Sequence, residues 1–245
     1  MFGTLENAEA FPVRLPYCHC QASDQQFDVR IARRDLRRFE RRGPDATTRQ
    51  MLATVQETSL PPQPVLLDVG GGIGAIHHIL LERGFAHAVQ VDASAAYLAI
   101  AAAEAERRGH AGRVDFRRAD FPAVAARVPM ADVVTLDRVV CCDPDYARLL
   151  GAAAGRAKRL VAFSYPRPRR TVRLIVAALN FLNRLRGRTF RAYVHPPAAM
   201  TGVLERAGLR RRWAGGNWIW AVELFERAAG NSSNSNLTPP AVRRI

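Results

Sequence analysis

A glycine-rich turn after an acidic residue is the segment whose residue types and spacing most favour ligand chemistry. Asp68 stands near the end of an apolar run at 65–69, and Gly70, Gly72 and Gly74 follow at alternate positions. Glycine takes positive φ without a Cβ clash and lets a backbone approach a ligand closely. An acid here pairs with a cationic group and would repel a pyrophosphate. The turn therefore favours a positively charged nucleoside over a dinucleotide.

Three further acids, Asp92, Asp120 and Asp137, stand at the ends of later apolar runs. A carboxylate accepts hydrogen bonds from two vicinal hydroxyls at once, so an acid at the end of the second run suits a ribose. The alternative for Asp92 is a cap on the helix that begins near Ser94, and Asp120 could cap the segment after Phe121. With the glycine turn upstream, ligand binding is the favoured interpretation of both.

Alternating strands and helices must position these side chains. Apolar runs predict strands at 65–69, 88–91, 114–117, 131–136 and 160–165, with helices at 75–83, 94–108 and 146–156. Strands that lack a polar alternate face and are separated by helices are typical of a parallel sheet covered on both sides. Beyond them, the sequence predicts helices at 171–185 and 196–207 and then two strands that meet at Gly215 and Gly216.

Four of these segments resemble the motifs of the class I S-adenosylmethionine (SAM) methyltransferases. The matching stretches, in the family's order and spacing, are 67–74, 89–92, 118–121 and 132–137. The resemblance implies an α/β fold with a doubly wound, mostly parallel, seven-stranded sheet. Helices would cover both faces and the last strand would be antiparallel. It also implies SAM as the cofactor.

The resemblance assigns roles to individual residues. Asp68 would support the amino group of SAM through its own network, and the glycines would line its methionine and ribose part. Asp92 would accept both ribose hydroxyls, and Asp120 would take the adenine amino group with Phe121 beside the ring. The complete set of predicted cofactor-binding residues is Asp68, Gly70, Gly72, Gly74, Asp92, Ala93, Asp120, Phe121 and Asp137.

The chain is predicted to comprise a helical extension, one enzymatic domain and a tail. The extension is rich in Arg, and its segment 29–49 has the pattern of an amphipathic helix pair broken at Gly43 and Pro44. The tail is rich in Ser, Asn and Pro and has nothing to bury. The predicted bounds are 1–60 for the extension, 61–227 for the methyltransferase domain with a variable cap insertion at 167–197, and 228–245 for the disordered tail.

The net charge of +14 invites a nucleic-acid role, because Lys and Arg bind phosphates by releasing counterions. Of the 36 basic residues, however, all but Lys158 are Arg, an imbalance that indicates codon-composition bias rather than selection for phosphate contacts. RNA would need the Arg-rich arm at 29–49. The segment 137–143 lacks the turn by which methyltransferases of nucleobase amino groups bind the exocyclic amine, which argues against that class of enzyme.

Other sequence features indicate the cellular compartment of the protein and whether it binds a metal ion. No run approaches the roughly 18 to 20 uncharged apolar residues of a membrane span, and the acidic N-terminus lacks a basic signal region, so a soluble, cytoplasmic protein is expected. Its cysteines, Cys18, Cys20, Cys141 and Cys142, are too sparse for a disulfide scaffold. No metal site is predicted, because zinc sites space cysteines by two to four residues and need four ligands.

His195 is the candidate catalytic residue. It is the only histidine in the later, substrate-side half of the chain, and an unperturbed imidazole has a pKa that suits a general base. A lone histidine is more often held structurally, so packing is the alternative.

The helix predicted at 171–185 is apolar around most of its circumference. Its apolar residues are expected to be buried, and only Arg173, Asn180 and Arg184 form a narrow polar stripe. The residues expected to be buried are Val172, Ile175, Val176, Leu179 and Leu182 on one side and Leu174, Ala178, Phe181 and Leu185 beside them. Such a helix either caps a hydrophobic acceptor pocket or, with arginines flanking it, rests on an anionic membrane surface through 167–191. The cap is favoured, because insertions at this place commonly shape the acceptor pocket in this fold.

Together these features predict a SAM-dependent methyltransferase that moves the sulfonium methyl group to an O, N or C atom of a small, largely apolar and possibly anionic acceptor. From Arg33 through the glycine turn, the layout also resembles the magnesium-protoporphyrin O-methyltransferase group, whose acceptor is a carboxylate. The alternatives are an RNA methyltransferase and a non-catalytic scaffold that binds SAM. The sequence leaves the oligomeric state open.

Overall fold

The structure, a computed structural model, describes residues 18–228. The tail predicted at 228–245 lies outside the described residues except for Ala228. The helices are α1 (Cys18–Gln26), α2 (Val29–Arg42), α3 (Ala46–Gln56), α4 (Ala75–Glu82), α5 (Ala95–Arg107), α6 (Phe121–Val124), α7 (Tyr146–Arg156), α8 (Arg170–Leu185) and α9 (Pro197–Arg206). The strands are β1 (Val65–Val69), β2 (His87–Asp92), β3 (Val114–Arg118), β4 (Ala131–Leu136), β5 (Ala157–Pro166), β6 (Leu209–Gly216) and β7 (Trp220–Arg227).

The seven strands form one sheet in the order β3-β2-β1-β4-β5-β7-β6. All pairs are parallel except those of β7, which runs antiparallel to β5 and to β6. This arrangement confirms the predicted doubly wound sheet with a reversed last strand. The strand order reverses beside β1, which pairs with β2 on one side and β4 on the other. In open α/β sheets, ligands bind outside the carboxyl ends of the strands at such a point.

The central strands are continuous apolar runs in the sequence because both faces of the sheet are buried. All six positions of β4 are buried. One face packs against α7 and α9 through residues that include Leu150, Met200 and Phe225. On the other face, Met51 of α3 belongs to the same cluster as Leu66 of β1. Helix α3, from the predicted extension, therefore completes the core on that side of the sheet.

Local signals set the helix bounds near the N-terminus. The side chain of Asp28 accepts a hydrogen bond from the Ile31 amide and caps α2, and Gly43, with φ +67°, ends it. Helix α5 is capped by the Ser94 hydroxyl, which accepts from the Tyr97 amide. The cap of α5 is thus Ser94, which leaves the Asp92 side chain for other partners.

The predicted burial of α8 is wrong for most of the residues named. Val172 is buried, but Ile175 is 51% exposed, Leu179 44% and Leu182 45%. The body of the protein instead holds the polar side of the helix. Asn180 exchanges two hydrogen bonds with the backbone of Ala192, at 2.8 and 2.9 Å, and this turns the apolar side outward.

Within residues 18–228, no helix has both the length and the apolar character needed to cross a bilayer.

Candidate active site

A cavity of about 360 Å³ lies outside the carboxyl ends of β1, β2, β3 and β4. Residues of α1, α2 and α3, among them Cys20, Arg38 and Thr48, line its other side. Helices of the N-terminal region therefore cover the switch point of the sheet. Eight of the nine predicted cofactor-binding residues line this cavity: Asp68, Gly70, Gly72, Asp92, Ala93, Asp120, Phe121 and Asp137.

The glycines of the turn have different surroundings. Gly70 and Gly72 both have positive φ, at +62° and +57°. A Cβ at Gly70 would overlap the Val139 side chain, so this position needs glycine for packing. At Gly72 the nearest atoms to a Cβ would be those of the Tyr97 ring, 3.7 Å away. The backbone at Gly72 is therefore open to the cavity.

Gly74 is not among the residues that line the cavity. It stands at the N-cap of α4 with φ +84°, and a Cβ there would overlap the His77 imidazole. Glycine at this position allows close packing of the turn on its own helix. The sequence motif alone could not separate this packing role from ligand contact.

Asp92 joins the end of β2 to the glycine turn. Its Oδ2 accepts from the Gly72 amide at 3.0 Å, and its Oδ1 accepts from the Ser94 amide at 2.8 Å. Burial raises the pKa of Asp92 to about 6, against the opposing effect of these two hydrogen bonds. Each carboxylate oxygen has lone pairs to spare, so both can accept a further donor from the cavity.

Asp68 is fully buried beneath the turn. Its Oδ1 accepts from the Thr135 hydroxyl at 2.7 Å, while Oδ2 has no hydrogen-bond partner among the described residues. The closest ionisable group is His77, whose Nδ1 lies 3.5 Å from Oδ2. An unpartnered buried carboxylate oxygen costs roughly 1 to 3 kcal/mol or more. Asp68 therefore places a buried carboxylate directly beneath the turn that lines the cavity.

Asp120 and Phe121 lie at the start of α6. The Asp120 Oδ2 accepts from Nη2 of Arg148 at 2.9 Å, and only 3% of the residue is exposed. Cys20 of α1 packs beside it, and burial, assisted by the Asp120 charge, raises the pKa of the thiol to about 12. Arg148 thus fixes the orientation of a carboxylate that lines the cavity.

Asp137 closes β4 with both of its oxygens engaged. Oδ2 accepts from the Thr48 hydroxyl at 2.6 Å and Oδ1 from the Ser164 hydroxyl at 2.5 Å. The residue lines the cavity, but its hydrogen bonds tie α3 and β5 to the end of β4. Its main role in the structure is to hold those elements together.

Arg138, the next residue, was missed by sequence reasoning. Its φ of +61° is rare for a residue other than glycine, and such backbone strain persists where the surroundings impose it, often at functional sites. The guanidinium stacks over the Trp220 ring at 5.1 Å, and its buried Nε finds no partner in residues 18–228.

Two arginines share one carboxylate at this wall of the cavity. Nη1 of Arg138 lies 2.7 Å and Nη2 of Arg38 lies 3.0 Å from the same oxygen, Oδ2 of Asp45. All three residues line the cavity. One carboxylate cannot neutralise two guanidiniums, so this cluster carries a net positive charge.

His195, the predicted general base, is not among the residues that line this cavity. Its Nε2 lies 3.1 Å from the carbonyl oxygen of Val140 and 2.9 Å from that of Asp143, and the Tyr146 and Tyr193 rings flank the imidazole. A nitrogen so placed donates its proton to the backbone. The histidine therefore holds the turn around Val140–Cys142 in place.

Cys141 and Cys142 are neighbouring free thiols whose sulfur atoms lie 3.8 Å apart. The hydrogen bond with Cys141, together with burial, raises the pKa of Cys142. Cys18 lies at the limit of the described residues, and its side chain is outside them. In the described part of the chain, no three His, Cys, Asp or Glu side chains are grouped to hold a metal ion.

Residues 66–159 match a family described as a methyltransferase domain. The match runs from β1 to the first residues of β5 and contains the glycine turn, Asp92, Asp120 and Arg138. The chain carries a class I SAM-dependent methyltransferase domain. SAM is the cofactor of this enzyme family, which confirms the predicted enzyme class and cofactor.

Solved structures share the fold of this methyltransferase. Magnesium protoporphyrin IX methyltransferase from Synechocystis, solved with bound SAH, is 18% identical with a TM-score of 0.65, and the match covers 86% of this chain and 100% of that one. An O-methyltransferase family protein from Burkholderia thailandensis is 20% identical with a TM-score of 0.63, over 86% of this chain and 63% of that one.

A third structure, a methyltransferase in complex with the Trm112 activator of Haloferax volcanii, is 14% identical with a TM-score of 0.61, covering 84% and 97% of the two chains. At these identities the likeness concerns the fold alone. Among curated proteins, none matches the chain.

Proposed function

We propose that the cavity holds SAM against the carboxyl ends of β1 to β3 and that the enzyme methylates a small organic anion beside it. The observation that carries the cofactor half is the grouping of Asp92, the buried carboxylate of Asp68 and the open backbone of Gly72 around one space. These groups fit the cationic and hydroxyl-bearing parts of the cofactor.

Each predicted contact has a matching group in the cavity. The two Asp92 oxygens keep lone pairs for the vicinal ribose hydroxyls, and the buried negative charge of Asp68 suits the amino group of SAM, which it would support through its own network. The Asp120 carboxylate suits the adenine amino group, with Phe121 beside the ring. Gly72 allows the close backbone approach that its open face indicates.

The protein's contribution to rate is alignment and exclusion of water. When bound, SAM supplies an electrophilic methyl group on a positively charged sulfur. Helices α1 to α3 cover the cavity, and the end of β4 at Asp137 and Arg138 forms the wall beside it. Holding an acceptor in line within such a cleft is worth roughly 7 to 11 kcal/mol in well-oriented systems.

The cluster of Arg38, Asp45 and Arg138 supports an anionic acceptor. Its two guanidiniums share one carboxylate, so a net positive charge lies on the cavity wall. A carboxylate or phosphate would accept from these donors in the fixed geometry of a guanidinium. The structural neighbour from Synechocystis is named as a methyltransferase of magnesium protoporphyrin IX, which agrees with a small-molecule acceptor.

An ionised acceptor also removes the need for a base. The described residues that line the cavity include no histidine, the group that most often serves as a general base near neutral pH. An acid group of the acceptor loses its proton in water before it binds. His195 is therefore not required in this proposal.

Calorimetry with SAM and a labelled methyl-transfer assay test the two halves separately. The assay compares small apolar carboxylic acids with their neutral amides. We expect methylation of acids only, and Arg38→Gln should raise the acceptor KM about tenfold while the SAM Kd stays unchanged. The matched control is Arg33→Gln, which changes an exposed arginine of the same helix outside the cavity.

Two results would distinguish a wrong cofactor assignment from a wrong acceptor assignment. Absence of SAM binding by the folded protein would refute the cofactor half. Equal methylation of amides and acids, with normal SAM binding, would refute the anionic acceptor alone.

A further inference from the structure

Helix α8 presents a continuous apolar face to solvent. Leu174 is 71% exposed, Phe181 61% and Leu185 67%. At about 100° per residue, these side chains and the neighbouring Ile175, Ala178, Leu179 and Leu182 occupy an arc of roughly 160°. The helix has 16 residues and is therefore about 24 Å long. We call this arc the α8 apolar face.

The opposite side of α8 packs against the protein and is hydrogen-bonded to it. Val172 and Asn183 are buried, and the Asn183 amide donates to the Phe190 carbonyl at 3.4 Å, beside the pair of bonds between Asn180 and Ala192. Phe190 packs edge-on against Phe27 with ring centroids 5.5 Å apart. The outward direction of the apolar face is thus fixed by specific contacts with the body of the protein.

A second apolar group lies beside the start of the helix. The Arg167 amide donates to the Ile219 carbonyl at 2.7 Å, which brings the loop between β6 and β7 next to α8. In that loop Trp218 is 51% and Ile219 39% exposed, and the Arg169 guanidinium lies over the Trp218 ring at 5.8 Å. Trp is enriched at membrane interfaces, where its ring spans apolar and wet surroundings.

All charged residues of the segment that carries the α8 apolar face are arginines. Residues 167–204 contain no Asp or Glu. Their eight basic residues, which stand on one flank of the face and around both helix ends, are Arg167, Arg169, Arg170, Arg173, Arg184, Arg186, Arg188 and Arg191. The segment combines a wide apolar arc with a purely cationic border.

The charge pattern distinguishes two candidate partners for this face, a second copy of the chain and an anionic membrane. In a two-fold dimer through this face the same patch meets itself, so the arginines of the two copies are brought together and residues 167–204 supply no acid to pair with them. An anionic bilayer satisfies both parts of the surface, because the apolar arc enters the acyl boundary while arginines reach the headgroups. We propose that α8 docks the enzyme in the plane of an anionic membrane surface.

Vesicle flotation with the full chain tests this proposal. The probes are phosphatidylcholine vesicles with and without phosphatidylglycerol. The protein should bind the anionic vesicles at least about tenfold more strongly than the neutral ones. The triple variant Leu174→Ser, Phe181→Ser, Leu185→Ser should lose at least about tenfold of that binding while its SAM affinity and melting curve remain unchanged.

Two further variants sharpen the result. Met130→Ser removes a side chain that is 46% exposed just before β4, at the opposite edge of the sheet from the cavity, and should bind vesicles like the wild type. The double variant Arg173→Gln, Arg184→Gln should weaken binding at low salt and approach the wild type at high salt, since screening removes the contribution of exposed charges.

Equal binding to neutral and anionic vesicles would overturn the proposal, as would unchanged binding of the triple variant. Sedimentation velocity supplies a third outcome that overturns it: a concentration-dependent dimer that the triple variant abolishes, with no vesicle binding by either protein.

Discussion

Two regions of the molecule bury opposite kinds of side chain. The edge of the sheet at β1, β2 and β4 buries acidic residues, whereas α8 exposes apolar ones. At the sheet edge, Asp68 and Asp92 are buried among glycines and backbone amides. On α8, Leu174 and Phe181 face solvent while two asparagines face the protein. Buried acids and a large exposed apolar patch are the two departures from ordinary burial that most often mark function.

The two regions also differ in how tightly their geometry is determined. Asp92 is held by the amides of Gly72 and Ser94, and any change at the turn alters its surroundings. The exposed side chains of α8 touch little, so they can be replaced without effect on the sheet. The comparison therefore predicts that changes at the sheet edge alter SAM binding and that changes on the α8 apolar face do not.

Asp92→Asn should have the largest effect on SAM affinity. Whichever way the new amide points, its NH2 group meets the amide hydrogen of either Gly72 or Ser94, and one acceptor for the ribose is lost. We expect SAM Kd to rise about 100-fold, which corresponds to roughly 2 to 3 kcal/mol. Isothermal calorimetry measures it, with a melting curve to verify the fold.

Asp115→Asn is the matched control, because the Asp115 side chain is 54% exposed on β3 and does not line the cavity. Its SAM Kd should equal that of the wild type. Normal SAM affinity in a folded Asp92→Asn variant would contradict the place of Asp92 in the cofactor site.

Gly72→Ala should come next in size. The new methyl group would project into the open space beside Gly72, and we expect SAM Kd to rise about 30-fold. The positive φ also costs roughly 1 to 2 kcal/mol of stability with any Cβ.

Gly109→Ala separates the two effects. Gly109 has φ +73° and open space around it, and it is not among the residues that line the cavity. Both variants should lose similar stability in chemical denaturation, but only Gly72→Ala should lose SAM affinity. Equal SAM affinity in the two would mean that the Gly72 backbone does not contact the cofactor.

The raised pKa of Asp92 predicts a pH-dependent SAM affinity. A carboxyl group with a pKa of about 6 is charged above that pH and accepts fully from the ribose, but it takes up a proton below it. If bound hydroxyls stabilise the carboxylate, affinity is constant above pH 6 and falls by up to about tenfold per pH unit below it. The α-carboxyl and α-amino groups of SAM, with pKa values of about 3.5 and about 8 respectively, titrate outside the range of about pH 4.5 to 7.

Titrations from about pH 4.5 to pH 7 would show this fall, and Asp92→Asn should flatten it because it has no proton to gain. A slope that persists in the Asn variant would assign the titration to another group.

The smallest effect is expected on α8. Leu174→Ala should change the free energy of unfolding by less than about 0.5 kcal/mol, since the side chain is 71% exposed. Val172→Ala, two positions away and only 1% exposed, should cost about 2 kcal/mol. Neither should change the SAM Kd. A large loss of stability in Leu174→Ala would mean that the apolar face is covered in the folded protein.

The sequence by itself determined the sheet and the position of the cavity. Apolar runs interrupted by helices dictate parallel strands, and the carboxyl ends of such strands meet at one edge. Acids at the ends of those runs, such as Asp68 and Asp92, therefore had to converge beside the glycine turn. Short-range patterns suffice for this inference because strand periodicity and glycine conformation are local properties.

Only the tertiary structure decided which residues near that edge are free to bind. Arg38 and Arg138 lie 100 positions apart, and their shared contact with Asp45 depends on how α2 and β4 pack. His195 had the chemistry of a base, but its nitrogen binds backbone carbonyls of a turn more than 50 positions away. For α8, the periodicity predicted an apolar helix but did not determine which side of it packs against the rest of the protein. Hydrogen bonds from its asparagines to the following loop made that choice, and no local pattern encodes contacts between elements that meet only on folding.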